Sequence, residues 1–181
     1  MSDRRRLGVT ETDGPPRAVF IAALVVAVAA LVGVIIVAAN QEPAPVPIAA
    51  VPAPRAADPA CAELIAAMPD SLGDYERAEL APPAPPGTAA WRGDDEAEPV
   101  ILRCGLDRPA DFVVGSPLQM VDDVSWFRVA EGNRVTWFVV DRAVYVALTL
   151  PQNSGATPIQ EISRTVSATL PAKDIDPAPA R

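Results

Sequence analysis

Four acids crowd into the stretch RGDDEAEP at residues 92–99: Asp94, Asp95, Glu96 and Glu98. Hard cations such as Ca²⁺ take six to eight oxygens, and such a cluster supplies part of that number. It lacks the DxDxDG order of an EF-hand loop, so it reads as a candidate acidic loop whose ordinary role is a solvated hairpin tip. The two thiols, Cys61 and Cys104, are the next chemistry-bearing residues. A redox-active or nucleophilic role would need a CxxC spacing or a histidine partner. The chain has neither, for it contains no histidine at all. That absence removes Ser-His-Asp and Cys-His catalysis and imidazole metal sites. The last candidate is Asp141-Arg142, a charged pair between the apolar runs of WFVVDRAVYVALTL at 137–150. It falls where two alternating segments must reverse, so it reads as an exposed turn pair rather than a site.

These residues need elements to position them. Asp58 can cap a helix beginning at Pro59, and Cys61, Leu64, Ile65 and Met68 then share one face before Pro69 stops it. At the other end, Thr157-Pro158-Ile159-Gln160 has the form of a capping box. Ile159, Ile162, Val166 and Leu170 make an apolar stripe ended by Pro171. Between the helices the period falls to two. Strands are expected at 88–92, 99–104, 117–121, 124–129, 134–140 and 143–150, with turns at Asp122-Asp123 and Glu131–Asn133. The last strand is apolar on both faces, which marks it as central, with the helices covering one side of the sheet. Trp137 and Phe138 are then core aromatics on opposite faces. The expected fold class is α+β: one N-terminal transmembrane helix, a Pro-rich stalk, and a small antiparallel sheet flanked by an N-terminal and a C-terminal helix.

Residues 18–39 carry no charge or strongly polar group over 22 positions. As a helix they would be about 33 Å long, enough for a hydrocarbon core of about 30 Å. A secretory signal has a shorter apolar region, so a retained anchor is favoured over a cleaved peptide, although Val37-Ala38-Ala39 would pass as a cleavage site. Arg17 abuts the span and Arg4 to Arg6 lie upstream, while no basic residue follows until Arg55. The positive-inside rule then makes 1–17 a cytoplasmic tail and everything after Asn40 extracytoplasmic. In that oxidising compartment an even pair of cysteines reads as a disulfide, Cys61 to Cys104. Residues 40–57 are rich in proline and alanine and read as a polyproline stalk, 58–172 as the folded domain and 173–181 as a disordered tail.

The net charge is −8, and because residues 1–17 carry +1 the remainder holds −9. So acidic a domain is unsuited to nucleic acid. GxSxG, P-loop, GxGxxG and HExxH motifs are absent, and no acid, base or nucleophile is assembled, so the reading is not an enzyme and no cofactor. Several phrases, PACAELIAAMP, PVILRCGLDRP, WFVVDRAVYVALTLP and the terminal ATLP, resemble the actinobacterial family of membrane proteins known as domain of unknown function 3515. The resemblance covers about residues 18–172. It implies an envelope location and assigns no activity, catalytic residue or cofactor. The expected function is that of a membrane-anchored binding or accessory domain whose partner is an envelope protein or a wall polymer. The alternatives are an envelope hydrolase using a carboxylate pair, and a structural subunit of a membrane complex.

Overall fold

A computed structural model describes residues 17–39, 43–94, 98–132 and 134–180. The chain divides into two compact units, Met1–Pro43 and Ala44–Arg181. In the first, helix α1 runs Arg17–Ala39. Its side chains from Ala18 to Val37 are all exposed, and that stretch is long and apolar enough to cross a membrane. Such a helix is compatible with a membrane anchor or a signal sequence.

The second unit is an α+β fold. Helix α2 is Pro59–Ala67 and helix α3 is Thr157–Thr169. The strands are β1 Ser71–Leu72, β2 Tyr75–Ala78, β3 Thr88–Arg92, β4 Val100–Leu106, β5 Leu118–Val121, β6 Val124–Glu131, β7 Arg134–Val139 and β8 Tyr145–Pro151. They form one antiparallel sheet in the order β1-β2-β3-β4-β8-β7-β6-β5. Each half is a meander, and β8 lies in the middle, as its two apolar faces require.

Local chemistry explains the element ends. Asp58 accepts a hydrogen bond from the Ala60 N–H at 3.0 Å with Pro59 at the first helical position, so α2 starts where expected. Helix α3 starts differently: its N-cap is Ala156, and no side chain caps it. Thr157 is already helical, and its methyl group packs at the Gly73 turn, where an added Cβ would meet it at 3.1 Å. The capping box read from 157–160 is therefore not formed. Asp122 and Asp123 both have positive φ, 44° and 61°, the type I′ geometry that joins β5 to β6. The hairpin β1–β2 escaped the sequence reading. It turns through Gly73-Asp74, with positive φ at Gly73 alone, a two-residue signal with Gly in first position.

Both helices cover one face of the sheet. Cys61 and Leu64 from α2 and Ile159, Ile162 and Val166 from α3 join Leu102, Trp126, Val146 and Leu148 in a single core. Cys61 is bonded to Cys104, tying α2 to β4 with a Cα–Cα distance of 5.5 Å. The Trp126 indole donates to Ser163 at 2.9 Å, and Ser163 donates to the Ile159 carbonyl at 2.7 Å, which pins α3 to β6.

The opposite face is covered by chain without regular structure. The 107–117 connection carries Phe112 onto Phe127, ring centroids 5.4 Å apart, to form a second core with Val140. The C-terminal residues lie across it: Ala178 N–H donates to the Phe112 carbonyl at 2.9 Å and Val114 N–H to the Ala178 carbonyl at 2.8 Å. Residues 173–180, expected to be disordered, are thus docked. The stalk expected at 40–57 is corrected in the same way. From Ala44 onward that segment belongs to the domain: Val46 is buried, donates to Glu79 and accepts from Ala81, and Arg55 N–H donates to the Gly105 carbonyl. Proline-rich chain cannot enter a sheet interior, but Val46, with its own N–H, pairs briefly while its apolar neighbours cover a sheet face that would otherwise face water. The rest of the expected stalk, residues 40–42, lies outside the described residues, as do 1–16.

Candidate functional site

Along β4, Val100, Leu102 and Cys104 point to the helix-covered core, so Ile101 and Arg103 point to the other face. Register continues that face across the sheet. Arg103 stands opposite Ala147 and Ala147 opposite Phe138; Ile101 stands opposite Thr149 and Thr149 opposite Thr136. Residues 44–56 cross this face as a strap, leaving two cavities beneath it. One, of about 370 Å³, is lined by Val51, Pro52, Arg103, Thr136, Phe138 and Ala147, with the exposed Asp107 at its rim. The other, of about 390 Å³, is lined by Val46, Pro47, Ala49, Arg92, Ile101 and Arg134. Ile101 and Arg103 are two residues apart on one strand face, so the cavities lie side by side. Both volumes fall in the range of small-molecule sites.

The electrostatics are unusual for so acidic a chain. Arg92 donates to the Ala44 carbonyl at 2.6 Å, and Arg134 is paired in a fork with Glu98, both bonds 3.1 Å. Arg103 has no hydrogen-bond or ion-pair partner among the described residues, and its Nε is buried. Burial, and then the neighbouring charge of Arg134, push its pKa below the usual guanidinium value. It nevertheless stays charged, since arginine does not lose its proton in proteins. Arg103 is half-buried, and its buried Nε is costly to leave without an acceptor. The hydroxyls of Thr136 and Thr149 bond each other at 3.1 Å on the floor.

The RCG phrase gives three neighbouring residues three separate jobs. Arg103 enters the trough, Cys104 fixes α2, and Gly105 admits the strap. At Gly105, with φ of 84°, an added Cβ would lie 2.3 Å from the Arg55 and Ala56 backbone, so no other residue lets the strap pass. Arg55 extends this seam by pairing with Asp58 at 2.6 Å and donating to the Ala143 carbonyl.

A smaller cleft of about 260 Å³ opens on the helix side, at the start of α3, lined by Gln119, Arg128, Trp137, Gln152 and Ser154 among others. The Arg128 guanidinium sits 5.8 Å from the Trp137 ring centroid. Trp137 packs on the main core and Phe138 on the second, so the two aromatics do face opposite ways, each half-buried.

The acidic loop does not assemble a site among the described residues. Asp94 is exposed, Glu98 is engaged by Arg134, and Asp95 and Glu96 lie outside the described residues. Asp141 and Arg142 depart furthest from expectation, for they are buried rather than exposed. Their side chains pair at 2.8 Å; Asp141 accepts from the Ser125 N–H at 2.7 Å; Arg142 donates to the Asp123 carbonyl at 3.0 Å. The backbone carbonyl of Asp141 accepts from Lys173 N–H at 2.8 Å. The pair therefore ties the β5–β6 turn, the β7–β8 connection and the C-terminal segment together, which is a structural task. The trough was missed because alternation alone does not reveal which face of β4 a loop will cover. Its one signal was an arginine inside the otherwise apolar run VILRCGL.

A family model described as protein of unknown function (DUF3515) matches residues 21–175. No curated protein and no solved structure matches the chain.

Proposed function

The chain belongs to the family of proteins of unknown function DUF3515, and from that premise we propose that it is a membrane-anchored, extracytoplasmic binding domain of the cell envelope. It acts by holding a partner on the sheet face beneath its strap, not by turnover. The observation that carries this reading is the trough floored by Ile101, Phe138 and Ala147, with Arg103, which has no partner among the described residues, at its side. A concavity that joins apolar side chains to a few placed charged groups is the usual form of a binding site. The extracytoplasmic assignment draws support from the charge asymmetry about residues 18–39 and from the Cys61–Cys104 bond, which suits an oxidising compartment.

The test is cross-linking of cells that carry a C-terminally tagged full chain, against a control keeping residues 1–43 and bearing an unrelated domain. Recovery of an envelope protein or wall polymer that depends on residues 44–181 and falls with Arg103→Glu is the expected result. Partners that persist with the control would instead make the chain a structural subunit acting through its span. A reporter enzyme active only outside the cytoplasm, fused after Arg181, should be active; an inactive, stable fusion would overturn the topology.

A further inference from the structure

Resting on the reading of this chain as a binding domain, we infer that the trough takes an anionic amphiphile: a hydrocarbon chain lying between strap and sheet, with a phosphate or carboxylate head on Arg103. Ile101, Phe138 and Ala147 on the floor and Val46 and Val51 on the strap give the trough apolar surface. The two floor hydroxyls, Thr136 and Thr149, bond each other, which leaves them one further O–H to donate. A peptide could not add as a strand, because β4, β8 and β7 are each paired on both sides. Charge supplies the head group. Three guanidinium groups, Arg92, Arg103 and Arg134, line the two cavities against Glu98, which is bound to Arg134, and the rim carboxylate Asp107. Of these cations Arg103 alone lacks a partner among the described residues, and its planar fork matches the oxygens of phosphate or carboxylate. Apolar surface beside a half-buried cation fits a ligand that is itself apolar with one charged end.

The test uses the full chain in dodecyl maltoside, an uncharged amphiphile present in excess, with a benzophenone-bearing residue introduced at position 138 in the trough floor. Dodecyl phosphate or dodecanoate is added, the sample is irradiated, and the intact mass is read. We expect adducts of the anionic probes to exceed those of the maltoside at least tenfold per mole, and dodecanol to give no such excess. Arg103→Gln should reduce the anionic adduct about tenfold and Arg103→Lys should restore part of it, with the disulfide and the melting temperature checked for each. The comparison of dodecyl phosphate with dodecanol reads the charge requirement without any change at Arg103. Equal labelling by charged and uncharged probes would overturn the inference. So would displacement of dodecyl phosphate by inorganic phosphate at equal concentration, which would leave an anion site with no place for the chain. Should cells yield a domain-dependent partner while these probes fail to label, the binding role stands and the ligand class is wrong.

Discussion

The pairing of Asp141 with Arg142 carries a cost that surface pairs do not. Both groups are withdrawn from water, and Arg142 Nε has no partner among the described residues. Removing one charge would leave the other buried and uncompensated, typically a loss of about 3–5 kcal/mol. Asp141→Asn is accordingly expected to destabilise the fold by about 3 kcal/mol in chemical denaturation. An exposed turn pair would have been nearly neutral. A second residue acts through pH. The Ala60 N–H and then Arg55 hold the Asp58 carboxyl below its ordinary value of 3.8. A depressed carboxyl contributes stability above its unfolded value and loses it as pH falls through the folded one. Melting curves should show Asp58→Ala less stable than the parent at pH 6, with the gap closing below about pH 4 as the parent's carboxylate is protonated in both states.

At the scale of elements, α3 is held by an apolar stripe and by one polar link. Trp126 Nε1 reaches Ser163 Oγ, which in turn bonds the Ile159 carbonyl, and all of this lies in the core. Ser163→Ala would leave a buried indole N–H unpaired, at about 1–3 kcal/mol. Ser163→Cys, which keeps a weak acceptor, should recover part of that loss. Comparing urea midpoints of the two variants checks both statements. The periodic elements were legible in sequence because burial of one face writes itself as spacing: α2, α3 and six strands fall close to the expected positions. The β1–β2 hairpin was not, because a two-residue strand such as Ser71–Leu72 is too short to display any period.

For the domain as a whole, the Cys61–Cys104 bond closes a loop spanning nearly all of the first half of the sheet, from α2 to β4. Chain-entropy reasoning puts its contribution at about 4 kcal/mol. The double change Cys61→Ser with Cys104→Ser should lower stability by about that amount, and reduction of the parent by dithiothreitol should reproduce it. Stabilities that agree with and without the bond would show that the core of Leu64, Leu102, Trp126 and Ile162 suffices. The strap and the C-terminal segment give the domain its second covered face, and both do so through few hydrogen bonds. Buried apolar side chains at Val46, Ala56 and Phe112 supply most of the reason they stay.

Some of this was settled by the residues themselves. The apolar run from Ala18 to Val37, the acid excess, the absence of histidine, the helix caps at Asp58 and Pro59, and the alternation of β8 depend on composition and near neighbours, which a linear reading captures. Only the tertiary structure decided that the proline-rich segment is a strap, that Asp141 and Arg142 are buried, and that Arg103 stands beside an apolar floor without a partner among the described residues. Each of those depends on which distant segment covers which face. Proline-rich chain and short loops have no period to announce where they will lie, so burial of their side chains is decided by the surface the sheet offers them.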